Sequence, residues 1–334
     1  MKKVVCSLLL CACVAGVSAD SKHDKAFWEK VFKGVETKIA LHIVDDEGVP
    51  VPDVKVHFTF SRVERYDEKD CVADRDGNCV ADNLTCGNSI EVNLSKDGYY
   101  DSSVKFCYIS IGNVYEVTDG KWQPYPLERT VTLRKIRNPV ALAHIGKIFV
   151  FPATNTWISF DMEACDFVAP NGRGKISDFE CLVDWDGLPP AKSRCCKMSL
   201  RMAGELSGGY YQTCEKDSEW PFAYSAKEKE LLIGNIDVVN RNGDPHATKV
   251  PFRENSEFIT RTRCKVDEHG NLISSNYGSI RVLGVSPSWD GNPTLKLRSV
   301  FNPVPNDTNL EDEEVSRRNE RSRKSLQRRG DEPK

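Results

Sequence analysis

Val54-Lys55-Val56-His57-Phe58-Thr59-Phe60-Ser61 places an apolar side chain at every second position. Successive side chains of a strand point to opposite faces, so Val54, Val56, Phe58 and Phe60 predict one buried face and Lys55, His57, Thr59 and Ser61 one solvated face. Upstream, Ile39, Leu41 and Ile43 repeat the period, and Asp45-Asp-Glu-Gly48 between the two runs is turn chemistry. Pro50 and Pro52 keep the approach extended at an edge. Downstream, Asp74-Arg-Asp-Gly-Asn78 and Lys96-Asp-Gly98 are further turns. Ile90/Val92/Leu94, Val104/Phe106/Tyr108 and Arg129-Thr-Val-Thr-Leu-Arg134 are further strands. Many short strands separated by tight turns predict a β-sandwich.

Four of these elements, in this order, resemble the carboxypeptidase-regulatory-like domains. They are Ile43-Val-Asp-Asp-Glu-Gly-Val-Pro-Val-Pro-Asp-Val-Lys-Val56, Asp74-Arg-Asp-Gly-Asn78, Ser95-Lys-Asp-Gly-Tyr-Tyr100 and Val131-Thr-Leu133. The resemblance spans about residues 37–136. It implies a transthyretin-like sandwich that serves as an accessory module, without an activity of its own. A cysteine-bearing insertion near 62–87, and Ala73 where that family commonly has Thr, depart from its pattern.

The rest of the chain divides around this module. Met1-Lys-Lys3, the apolar run Val4–Val14 and Val17-Ser-Ala19 predict a signal peptide over 1–19. The alternative is a lipoprotein signal with Cys13 as the lipidated residue. Lys25-Ala-Phe-Trp-Glu-Lys-Val-Phe-Lys-Gly34 sets Phe27, Trp28, Val31 and Phe32 at helical spacing, a short helix within 20–36 stopped by Gly34. Arg137-Asn-Pro139 reads as a hinge between a module over 37–138 and a second domain over 139–311. In that second domain, apolar runs between Gly-, Asn- and Pro-rich turns predict about eight strands and a second sandwich. Its Asp166–Gly174 and Asn302–Asp307 segments are similar only to ones in uncharacterised exported bacterial proteins. The expected class is thus mostly β: two sandwiches, a short N-terminal helix, and a charged, disordered tail over 312–334.

Composition narrows the function. No segment has the run of apolar residues a membrane helix needs. With Cys6, Cys11 and Cys13 of the expected signal set aside, Cys71, Cys79, Cys86 and Cys107 precede the hinge. Cys165, Cys181, Cys195, Cys196, Cys214 and Cys264 follow it. Even numbers on both sides predict intradomain disulfides in an extracytoplasmic compartment, with the pairing open. With Lys2, Lys3 and residues 315–334 set aside, 36 basic residues face 46 acidic ones, an acidic body that argues against nucleic acid as a partner. The basic tail could instead touch an anionic surface.

The chain carries few catalytic signatures. Ser207 is followed by Gly208-Gly209, but Glu205 stands where a nucleophile elbow needs glycine. There is no H-E-x-x-H, no P-loop and no G-x-G-x-x-G. The remaining acidic cluster is Asp178, Glu180, Asp184 and Asp186, with Asp161, Glu163 and Asp166 upstream. Two carboxylates roughly 5–9.5 Å apart could hydrolyse a glycoside, and several oxygens together could hold calcium. Otherwise these are solvent-facing residues of a strand and its turn, and no cofactor is needed. Trp185, Trp220 and Trp289 lie beside turn residues and are candidates for stacking on sugar rings. The leading expectation is a non-catalytic binding or structural protein that contacts a glycan or a cell-envelope partner. The alternatives are a carboxylate-dependent hydrolase and an accessory subunit of an extracellular complex.

Overall fold

The computed structural model describes residues 25–110, 113–185, 196–215, 217–227, 233–240, 256–286 and 292–330. The expected signal segment with Cys13 lies outside them, as do Asp186, Cys195 and Trp289. The chain forms two compact units. One holds residues up to Ile136 together with Asp217–Glu219, and the other holds the remainder from Arg137. Both are β-sandwiches.

In the first unit the predicted helix forms as α1 (Lys25–Lys33). Its Val31 is buried, Phe27 and Trp28 pack against the core, and Phe32 stays exposed. Apart from four two-residue strands between Ile109 and Trp122, the strands are β1 (Val35–Val44), β2 (Lys55–Ser61), β3 (Tyr66–Val72), β4 (Asn78–Thr85), β5 (Ile90–Ser95), β6 (Ser102–Phe106) and β7 (Leu127–Thr132). One sheet places β1 between antiparallel β4 and parallel β7. The other runs β3-β2-β5-β6. Ile39, Leu41 and Ile43 of β1 face Val56, Phe58 and Phe60 of β2 in one core, as the alternation requires. Full burial of each such side chain contributes about 1.5–3 kcal/mol. Trp122 and Tyr108 stack at 5.1 Å in the same core. The Tyr108 hydroxyl meets Thr37 Oγ1 at 2.6 Å and Trp122 Nε1 donates to Thr85 O at 3.4 Å, so both polar atoms of the pair are satisfied.

The turns read from the sequence are built by their own aspartates. Asp45 Oδ1 accepts the amides of Glu47 and Val49, and Lys135 donates to Asp45 Oδ2 at 2.7 Å. That hydrogen bond, ahead of the opposing effect of burial, holds the Asp45 carboxyl below its ordinary value. Asp74 Oδ1 accepts the amides of Asp76 and Asn78 around Gly77, whose φ is +74°. Just beyond this turn a Cys71–Cys79 disulfide joins β3 of one sheet to β4 of the other. The sequence hinge did not anticipate that Asp217–Glu219 belongs to this unit. Ser103 N donates to Asp217 O, Glu219 N donates to Asp101 O, and Arg129 pairs with Asp217 at 2.6 Å.

The second unit contains β8 (Ala143–Val150), β9 (Ile158–Asp161), β10 (Asp166–Phe167), β11 (Phe179–Trp185), β12 (Cys196–Met202), β13 (Gly208–Thr213), β14 (Asn235–Asn240), β15 (Ser256–Val266), β16 (Leu272–Ser286) and β17 (Thr294–Asn302). They form the sheets β8-β17-β16-β15-β13 and β10-β9-β11-β12-β14. Phe149, Phe151, Phe160, Phe167 and Phe179 interlock edge-on or stacked between them. The short β10 and β13 have no counterpart among the predicted strands.

The charged C-terminal segment carries a helix, α2, from Glu313 to Gly330. Asp312 caps it, accepting the Glu314 amide at 3.0 Å, and Glu313 and Glu314 suit the positive end of the helix dipole. Upstream, Glu311 takes the amides of Arg137 and Asn138, and His144 Nδ1 lies 3.0 Å from Asp312 Oδ2. Val315, Ser316 and Asn319 are buried. A low apolar content hid the anchor, because its first turn is held by carboxylates.

The cysteines also differ from the expectation of bridges throughout. Cys86, Cys107, Cys165, Cys181 and Cys264 are thiols. Cys181 lies on the inward face of β11 and is fully buried, where it packs as a small apolar side chain. Burial pushes its thiol well above the ordinary range. The Cys196 side chain lies outside what is described.

Gly77 tests the turn. A Cβ there would sit inside van der Waals contact with Ile43 O, whereas at Gly98, also at positive φ, nothing lies within 4 Å. Gly98→Ala should cost about 1 kcal/mol through its backbone conformation, and Gly77→Ala clearly more. Urea unfolding of the two variants measures the difference; equal midpoints would refute the steric account.

Candidate functional site

The acidic residues singled out in the sequence do converge, but around a cation of the protein's own. β15 carries a bulge between Thr262 and Lys265, and Arg263 sits within it at φ +52°. A bulge re-aims side chains that strict alternation would hold. Here it turns the Arg263 guanidinium toward β9 and the start of β11. Arg263 Nε and Nη2 reach the two oxygens of Asp178 at 2.8 and 3.0 Å. Nη2 also donates to Asp161 at 2.9 Å, and Nη1 donates to Glu163. The Phe301 ring closes one face of the guanidinium at 4.5 Å.

The remaining lone pairs are taken as well. Asp178, fully buried, accepts Met162 N and Thr262 Oγ1. Asp161 accepts the amides of Glu163, Ala164, Lys175 and Ile176. Burial pushes the Asp161 carboxyl up. The amides and the Arg263 charge outweigh that and hold it below the ordinary value. Burial likewise opposes the Arg263 charge, and Asp178, Glu163 and Asp161 more than offset it. Bidentate pairing with neighbours this well satisfied is an architectural device, joining the two sheets of the second unit.

The other candidates are dispersed. Glu180 faces away from the core, bound to Arg201 at 2.5 Å and within 3.3 Å of Ser159 Oγ. Arg201 also covers the Trp157 ring at 4.1 Å. Asp184, exposed, stands opposite Lys197 in the β11–β12 register. It is four residues from Glu180, which places the two about 13 Å apart along the strand, beyond glycosidase spacing. Among the described residues no group of three or more His, Cys, Asp or Glu could hold a metal ion. The cation at the centre of the acidic trio is Arg263.

Of the tryptophans, Trp220 is fully buried against Phe222, so it offers no ring to a ligand. Trp185 is half-buried and packs partly on the second core. Sequence reasoning missed both Arg263 and the open face of the β3-β2-β5-β6 sheet. On that face Tyr66 is 63% exposed. His57 lies between Asp70 and Asn93 in register, its Nδ1 2.8 Å from Asp70, and Thr59 lies between Glu68 and Glu91. The period of two in β2 already marked His57 and Thr59 as outward. Their neighbours needed the strand register.

Arg263→Met would leave Asp178 buried and unpaired and should destabilise the second unit by about 3–5 kcal/mol. Arg201→Met, at a partly exposed pair, should cost at most about 1 kcal/mol. Because Asp161 titrates lower folded than unfolded, its contribution is present above the unfolded value, about 3.9, and is lost as pH falls through the folded value. Unfolding midpoints of the parent should therefore drop as pH falls below about 4, and more steeply than those of Arg263→Met. Parallel profiles would refute the linkage.

No family model matches the chain, and no curated protein matches it. Among solved structures it is similar to a 3-chlorocatechol 1,2-dioxygenase from Rhodococcus opacus 1CP, with 11% identity over 31% of this chain and 61% of that one and a TM-score of 0.26. It is similar also to a chlorocatechol 1,2-dioxygenase from Pseudomonas putida, with 11% identity over 35% of this chain and 63% of that one and a TM-score of 0.24. The chain thus spans less than two thirds of either dioxygenase. A DUF3823 family protein from Parabacteroides merdae aligns over 83% of this chain and 99% of its own, at 7% identity and a TM-score of 0.20. None of these likenesses is strong enough to define a fold or an activity.

Proposed function

We propose that this chain is a secreted or cell-envelope protein that binds without catalysis, using a transthyretin-like module over 37–138 as its contact surface and taking a polysaccharide as ligand. The observation that carries the reading is the outer face of the β3-β2-β5-β6 sheet. It is open, lined by hydroxyl, carboxylate, amide and imidazole groups in register, and bounded by exposed Tyr66. Neighbouring strands lie about 4.8 Å apart, and like-facing residues along a strand about 7 Å apart. Such a grid suits the many hydroxyls of linked sugar rings, with Tyr66 stacking on a C–H face. The disulfide of the first unit supports the compartment. Among the described residues no helix is long and apolar enough to cross a membrane.

Incubating the full chain with a panel of plant, host and bacterial polysaccharides tests this. Retention without release of soluble sugar is the expected result. Tyr66→Ala and Asn93→Ala should weaken retention at least several-fold and leave the thermal melt unchanged, while Asp184→Asn should behave as the parent. Sugar release that disappears in Asp184→Asn would overturn the reading in favour of the hydrolase. Neither retention nor release would overturn it in favour of an accessory subunit with a protein partner.

A further inference from the structure

Buried Cys86 and exposed Cys107 are both thiols, and each contacts the segment that leaves β4: Cys86 lies within it and Cys107 Sγ lies beside Gly87 O. Phe60, Ile90 and Phe106 share one inward-facing row across β2, β5 and β6. The next row therefore carries Ser61, Ser89 and Cys107 on the outer face. The chain reaches that row from β4 through Cys86, Gly87 and Asn88. On one side Cys86 N donates to Ser61 O at 3.0 Å, and Cys86 Sγ lies 3.7 Å from Ser61 Oγ. On the other side Gly87 O accepts the amides of Tyr108 and Ile109 at 2.8 and 3.0 Å and lies 3.7 Å from Cys107 Sγ. The two sulfurs thus flank one short turn that hydrogen bonds pin at both ends.

We propose that Cys86 and Cys107 close a second disulfide in this unit when the chain meets a disulfide-class oxidant. The exposed Cys107 thiol loses its proton and attacks a sulfur of the oxidant, releasing one thiolate and leaving a mixed disulfide on Cys107. Buried Cys86 then loses its proton and attacks the Cys107 sulfur, expelling the second thiolate. Two thiols are oxidised, one disulfide is reduced, and two protons pass to the thiolates released. The bond ties the exit of β4, in one sheet, to the end of β6, in the other. With Cys71–Cys79 it accounts for the four cysteines among the described residues of the unit.

The test uses the full chain incubated with oxidised glutathione, independent of the compartment in which the protein works. After remaining thiols are alkylated, cleavage before aspartate separates Asp82–Lys96, containing Cys86, from Asp101–Thr118, containing Cys107, and leaves Cys79 in Asp76–Ala81. The expected product is the first two peptides linked, lighter by two hydrogens than their sum. Cys107→Ser, at an exposed position, should fold, lose that product and leave Cys86 slow to alkylate until the chain is unfolded. Recovery of both parent peptides alkylated, or of either linked to a different cysteine peptide, would overturn the proposal.

Discussion

A charged guanidinium inside a sandwich has to be surrounded before the sandwich can close, and in the second unit Arg263 imposes that condition. Its ligands come from the end of β9, the turn after it and the start of β11, while Arg263 itself comes from a bulge in the opposite sheet. Desolvating an arginine and two aspartates is costly. The Coulombic return outweighs it only when the geometry is bidentate and the remaining lone pairs are filled. Both conditions hold, through the Met162 amide and Thr262 hydroxyl at Asp178 and four amides at Asp161. The left-handed backbone at Arg263 is retained within this network, strain held where the surroundings determine it fully.

That arrangement decides what the acidic cluster can do. A general acid needs a carboxyl free to exchange a proton with substrate, and a metal site needs oxygens without a resident cation. Asp161 and Asp178 meet neither requirement, and Glu180 is engaged by Arg201. Among the described residues, the outer face of the first unit's β3-β2-β5-β6 sheet presents polar side chains to solvent in register.

Much of the architecture was legible beforehand. Alternation in β1 and β2 separates core from surface residue by residue, and Asp-Gly turns mark where the chain reverses. The strands of the second unit followed from apolar runs between turn residues, apart from β10 and β13. Those two are short and carry little periodic signal. The helix α2 was hidden because its docking relies on Glu311, Asp312 and buried Asn319, residues that in sequence resemble solvated chain.

By itself the sequence determined the fold class and the inward and outward faces of strands such as β1 and β2, because side-chain period and turn chemistry are local properties. Only the tertiary structure decided what each polar residue is for. Burial of Trp220, capture of Asp178 by Arg263 and recruitment of Asp217–Glu219 to the first unit depend on strand register and on partners far along the chain. So does the placing of Cys86 beside Ser61 and of Cys107 beside Gly87. Long-range pairing is set by the packing of whole sheets, and no window of neighbouring residues contains it.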